Sequence, residues 1–335
     1  MQSPKQPTDQ TPQQSPPHQS PPRQHNSGWT TESLSLIAGD APHTLLLGTH
    51  PSTASLADKP LTPIQNKLRA NEYSGPMNFG NPNNSFWNIV LSGLTSRVRH
   101  ELTYDEILTV LKEGGFALWD VVRSATKAEK GSLDSKIITA MSQYNPVLQY
   151  VEEEPSVQRV VMPKNTAEML VTSTNKEARG LLSDKKDGRP GFAVLTDGPV
   201  SKATLEVFRK KAFRNLTTMT RSELEETRLQ GARVVELVVV CSTSPANALL
   251  RGYEKEKIWF AAAFEIEEDE APPFYRCACC GVVGTHILAT CPARTSEWRA
   301  DAMKRNGELR KTWNAWAKSG REGEEPSLDE FVWAI

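Results

Sequence analysis

Four short apolar runs constrain this chain more than any other feature. "HTLLLGT" at 43–49, "FALWDVV" at 116–122, "VQRVVM" at 157–162 and "RVVELVVVCSTS" at 233–244 lack a clean polar alternation. Strands of that kind are buried on both faces, as in parallel sheets. Between them lie segments of helical spacing. "NSFWNIVLSGL" is one, and "TYDEILTVLKEGG" is another, with Thr103 as N-cap, Glu106 three residues on and a Gly stop. "SLDSKIITAM", starting at Ser132, and "NALLRGYEKEKIWFAAAFEI" complete the set. Strand and helix in alternation predict an α/β fold: a three-layer αβα sandwich around a mostly parallel four-stranded sheet. Its site is expected where loops leave the C-terminal strand ends, here "GTHPSTAS", "DVVRSATKAEKGS" and "STSPANA".

The chain of 335 residues is only 38% apolar, so part of it is expected to lie outside a packed core. The Pro-, Gln- and Ser-rich opening reads as a disordered arm over residues 1–38. A folded α/β domain is expected at 39–268, with an insertion of mixed charge at about 172–230, and a C-terminal segment occupies 269–335. The opening has no apolar core of a signal peptide and no run is long enough to cross a bilayer, so a soluble intracellular monomer is expected. A net charge of −1 does not announce a nucleic-acid partner. Basic runs such as "FRKKAFRN" and acidic ones such as "EIEEDEAPP" read as solvated faces.

The stretches "LLLGTHPSTAS", "NFGNPNNSFWNIV", "FALWDVVRSATKAEKGSLDSKI" and "VCSTSPANA" together resemble motifs of the uracil-DNA glycosylase superfamily. The hypoxanthine-DNA glycosylase branch is nearest, with the mismatch-specific uracil/thymine glycosylases related. The resemblance covers roughly residues 42–162 and 232–262. It implies a monofunctional DNA glycosylase of base excision repair, removing hypoxanthine or uracil by water attack, with no catalytic cofactor. Such chemistry extrudes the nucleotide, reads the base edge and stabilises charge on the leaving base. No Lys is placed for a Schiff base, so lyase activity is not expected.

By the resemblance, Asn84 orients the hydrolytic water; read alone, it is an N-cap of the following helix. His50 stands where the branch has an apolar residue, and is either a pocket wall or a general base. Phe79 aligns with the aromatic that stacks on the base, beside Asn81, which departs from the branch's His. Asp120 would accept from a ring N–H of the base, or cap the next turn. Backbone N–H groups at Gly48 and Thr49 would meet the base or a phosphate. Ser242, Ser244 and Pro245 match the loop that contacts the DNA backbone. A catalytically inactive relic of the same fold, binding nucleic acid through a zinc knuckle in the C-terminal segment, is the competing reading.

"YRCACCGVVGTHILATCP" sets Cys277, Cys280, His286 and Cys291 at spacings resembling a zinc knuckle with one extra residue before the His. Four soft donors in a tight turn suit a tetrahedral structural zinc. Cys279 is a spare, and Cys241 reads as a buried thiol. A knuckle commonly binds single-stranded nucleic acid or a protein. The appended knuckle and the proline-rich arm suggest a nuclear protein. The amphipathic segment "SEWRADAMKRNGELRKTWNAWAK" is expected to pack its Trp residues inward.

Overall fold

The computed structural model describes residues 29–57, 61–71, 73–127, 137, 141–177, 191–195, 216–245, 250, 252–266, 270–321, 323–328 and 330–332. Residues 1–28 and most of "SLDSKIITAM" lie outside them, as do 178–190 and 196–215 of the insertion. All four predicted strands form. They are β2 (Thr44–Gly48), β3 (Phe116–Asp120), β6 (Arg159–Pro163) and β9 (Val234–Val240). Every pairing among them is parallel, in the order β3-β2-β6-β9.

The sheet has six strands, not the four expected. β7 (Gly191–Leu195) and β8 (Leu216–Met219) extend it beyond β9, again in parallel. Both come from the stretch read as an insertion, so that stretch builds sheet rather than sitting outside it. A second, three-stranded antiparallel sheet was also not expected. There β4 (Val122–Lys127) lies between β1 (Trp29–Glu32) and β5 (Gln143–Tyr144). Residues 29–38 are therefore held to the domain: Trp29–Glu32 pairs with β4, and Ile37 bridges to Leu118.

Alternation along the strands explains their unbroken apolar character. Leu46, Leu118, Val161 and Val238 point into one core, with α2 (Phe86–Leu94) and α3 (Tyr104–Glu113). Leu45, Leu47, Val160 and Leu237 point into the opposite core, with α4 (Val147–Glu153) and α5 (Lys164–Glu177). Three layers follow directly from this two-sided burial. The predicted capping box of α3 is present, Thr103 accepting from Glu106 N and Glu106 from Thr103 N.

α1 (Pro63–Arg69) interrupts what was read as one long loop. Further on come α6 (Arg221–Leu229), α7 (Gly252–Ala263) and α8 (Ser296–Lys318). The last spans the predicted amphipathic segment. Its Trp313 packs with Ile64 and Leu68 of α1, and Trp298 packs against the first core. Among the described residues, no helix is long and apolar enough to cross a membrane.

Candidate active site and candidate metal centre

β2 is the point where strand order reverses, since β3 lies on one side of it and β6 on the other. Crevices at such points face the loops leaving the strands. At the end of β2, a Cβ placed on Gly48 would lie 2.3 Å from Asp120 Oδ1 and 3.0 Å from Phe79 Cζ. Only a residue without a side chain lets the carboxylate and the ring approach that backbone. Gly48, Asp120 and Phe79 thus converge, from three separate sequence motifs.

Phe79 holds a φ of 52°, in the left-handed region that L-residues avoid. Its ring stacks on Phe86 with centroids 3.8 Å apart and planes 14° off parallel. This aromatic contact offsets the backbone strain. The loop before Phe79 is fastened by Trp87, whose Nε1 donates to Asn78 O, and by Met77 N, which donates to Ser55 O at 2.8 Å. Asp120 is only 4% exposed, and its carbonyl accepts from Asn145 Nδ2 at 2.8 Å.

His50 is also buried, at 8% exposed. Nδ1 lies 3.0 Å from Pro51 O, and Nε2 lies 3.1 Å from Thr31 O in β1. Burial, reinforced by the charge of Lys127, lowers its pKa to about 4. The neutral ring carries one N–H, so one of those two contacts is a hydrogen bond and the other is not. His50 therefore ties the first strand-end loop to the N-terminal strand. Thr49 Oγ1 meets Thr166 Oγ1 of α5 at 2.8 Å.

Asn84 Oδ1 accepts from Phe86 N at 2.9 Å at the start of α2, whose N-cap position is the next residue, Ser85, with no side-chain capping bond of its own. The next residue joins two motifs: Ser85 N and Oγ donate to Thr243 O at 3.3 and 3.1 Å. In the loop after β9, Ser242 Oγ accepts from Ser244 N at 3.2 Å, and Pro245 is exposed. Lys255 of α7 donates to Ser244 O at 3.0 Å. Asn84 also lines a groove of about 330 Å³ with Asn83, Asn88 and residues of α8, a groove that Gly48, Asp120 and Phe79 do not line.

Several residues here escaped sequence reasoning. Arg69 and Arg99 are buried behind the 77–85 loop, with no carboxylate bridged to either among the described residues. Arg69 Nη2 donates to Ser55 O at 3.0 Å, and Arg99 Nη1 to Asn84 O at 3.4 Å. Burial, then the charge of Arg69, lowers Arg99 to about 9. Buried Asn78 shares hydrogen bonds with Tyr104, whose hydroxyl burial pushes up to about 12. Nothing in a sequence marks an Arg or Asn as buried; only the short spacing of Asn78 from Phe79 pointed nearby.

In the C-terminal segment, the donor atoms of Cys277, Cys280, His286 and Cys291 all lie within 4.8 Å of one another. Cys280 Sγ and His286 Nε2 are 3.2 Å apart. Ligands of a tetrahedral zinc, at about 2.0–2.3 Å from the ion, stand about 3.5–3.8 Å apart, so this set fits with small shifts. Gly281 and Gly284, at φ of 76° and 69°, make the turns. The cluster could hold a metal ion. It is no loose tail: Cys277, Cys291, Ile287 and Leu288 belong to the first core. Tyr275 Oη donates to Glu256 of α7 at 3.0 Å and accepts from Leu288 N at 3.0 Å. Cys279 packs beside it, and the Cys241 thiol is half-buried, pushed up to about 11 by burial.

No protein-family model matches the chain. No curated protein matches it either. Among solved structures, a similar chain is seen in the solution NMR structure of a protein from Methanosarcina acetivorans, provisionally described as a uracil DNA glycosylase. That likeness has 18% identity and a TM-score of 0.38, over 70% of this chain and 96% of that one.

Proposed function

We propose that this chain is a monofunctional DNA glycosylase that hydrolyses the N-glycosidic bond of a deaminated nucleotide, hypoxanthine first and uracil second. The observation that carries this reading is the convergence of Gly48, Asp120 and Phe79 at the end of β2. A flat ring beside a carboxylate suits a base with a ring N–H: Phe79 would stack on one face while Asp120 accepts from the edge. Asn84 would aim the water at C1′ with the amide nitrogen that capping does not use, leaving Oδ1 on the helix. Arg99, on the Asn84 carbonyl, fixes the backbone from behind. His50 serves as wall: its nitrogens face carbonyls and its low pKa leaves it a weak base. Ser242, Ser244 and Pro245 would follow the DNA backbone.

The C-terminal cluster would hold a structural zinc through Cys277, Cys280, His286 and Cys291. Zinc there supplies cross-linking of the fold and no catalytic step. In the nucleus, such a protein would act on deaminated chromosomal DNA.

A second reading, a DNA-binding relic without catalysis, is favoured by one observation. Oδ1 of the Asn84 carboxamide is already engaged by Phe86 N at the start of α2. Duplexes carrying inosine, uracil, xanthine or a thymine mismatch, incubated with pure protein and then treated with alkali, separate the two readings. The glycosylase predicts breaks at the altered base that vanish with Asn84→Ala and do not form without alkali. The relic predicts binding with no break on any duplex.

A further inference from the structure

The C-terminal helix presents a stripe of four residues to the loop that carries Asn84. Met303, Asn306, Gly307 and Arg310 recur at helical spacing on one face of α8. They form the far wall of the 330 Å³ groove whose near wall includes Asn83, Asn84 and Asn88. No carboxylate lines this groove. Arg310 lies 5.2 Å above the ring of Phe331, and none of the described carboxylates pairs with it. Asn306 fixes the floor, donating through Nδ2 to Val332 O at 2.6 Å and accepting from Val332 N at 3.0 Å. Met303 is 56% exposed. A Cβ on Gly307 would meet nothing within 4 Å, so the groove is open at that point.

We propose that this groove binds the DNA strand beside the extruded nucleotide, with a phosphate on Arg310 and base edges on the carboxamides of Asn83 and Asn88. The proposal rests on the reading of the chain as a protein acting on DNA. Its size is that of a small-ligand site, at the lower end of about 300–1,000 Å³. An unpaired guanidinium is the side chain that best matches a phosphate. Carboxamides offer a donor and an acceptor side by side, as base edges do. An exposed Met is among the apolar side chains that wedge against bases. Location adds the last argument. Asn84 lines the groove, while Ser85 is bonded to Thr243 in the loop after β9. A strand leaving the groove thus passes directly along the strand-end loops.

The test is fluorescence anisotropy of the full chain with a fluorescein-labelled single-stranded 15-mer, at several salt concentrations. Arg310→Gln is expected to weaken binding about five- to tenfold and to reduce the salt slope by about 0.7, the loss of one phosphate contact on a single strand. Gly307→Gln fills the groove from a helix position that clashes with nothing. It is expected to weaken binding about tenfold while the melting temperature stays level or rises, since Gly is a poor helix former. Wild-type binding in both variants overturns the proposal, as does a wild-type chain that binds no strand. Weaker Arg310→Gln binding with an unchanged salt slope overturns the phosphate assignment. The same proteins go into the excision assay. Excision by the wild type with normal binding by both variants sinks the groove alone. Weakened binding in both, with no excision by the wild type, keeps the groove and sinks the glycosylase.

Discussion

At the strand ends, groups that the sequence singles out are engaged by the surrounding backbone; in the C-terminal Cys/His cluster the candidate donor atoms face one another. His50 turns both ring nitrogens toward the Pro51 and Thr31 carbonyls, one of them as a hydrogen bond, and Asn84 Oδ1 accepts from Phe86 N at the start of α2. The knuckle instead gathers three thiols and an imidazole within 4.8 Å, with Cys280 and His286 in contact. A donor cluster of that kind has little to gain from itself and could hold a cation. The difference teaches that a polar group near a predicted site is not thereby available. At the strand ends what stands out is the crowding of one glycine, Gly48, by the Asp120 carboxylate and the Phe79 ring.

The largest effect expected is at the knuckle. Because Cys277 and Cys291 sit in the same core as Leu46 and Leu118, metal loss should unsettle the whole domain. Elemental analysis should find one zinc per chain. Chelation, or Cys277→Ser, should lower the melting temperature by more than 10 °C; an unchanged melting curve would make the cluster a surface ornament.

His50 comes next. Its folded pKa, about 4, lies below the ordinary histidine value of about 6.5, because burial and then the charge of Lys127 disfavour the imidazolium. Above pH 6.5 it is neutral folded and unfolded, and the full stability is present. Between 6.5 and 4 the unfolded chain takes up a proton that the folded chain refuses, so stability falls by at most about 3 kcal/mol. Urea titrations across that range should show this slope, and His50→Gln should flatten it. Any excision rate should show no inflection near pH 6.5; a break there would restore His50 as the base.

Gly48→Ala forces a Cβ to within 2.3 Å of Asp120 Oδ1. Denaturant unfolding should register a loss of about 1–3 kcal/mol, with base binding abolished by the displaced carboxylate. Full binding with native stability would break the convergence on which the site stands.

The smallest effect separates the two uses of Asn84. As a cap, Asn84→Ala should cost about 0.5–2 kcal/mol. Asn84→Asp keeps the accepting oxygen, so stability should recover while any excision stays lost. Recovery of both would reduce Asn84 to a cap.

How much of this was legible in the sequence follows from burial. β2, β3, β6 and β9 were readable because both faces are covered and their sequences are nearly all apolar. "LTTM" of β8 packs at a sheet edge, where a polar strand costs little, and it carried no such signal. "WTTE" of β1 joins the domain through backbone pairing with β4, which composition does not reveal. α1 did carry a signature, Thr62 and Gln65 forming a capping box around Pro63, and it was passed over inside a Pro- and Asn-rich stretch. The four metal-binding candidates were legible because ligand spacing within a tight turn survives in sequence. The meeting of Gly48, Phe79 and Asp120 was legible only through the family resemblance, since three separate loops deliver them and no local spacing links them. The buried Arg69 and Arg99 had no signal at all, because their partners are backbone carbonyls of Ser55 and Asn84.

Mass spectrometry of a single turnover in ¹⁸O-water, on a duplex holding one inosine or one uracil, tests the central claim most directly. The account predicts release of the free base and one ¹⁸O in the abasic sugar, from the wild type and not from Gly48→Ala. Neither free base nor labelled sugar, from a zinc-loaded chain that binds the duplex, would contradict it.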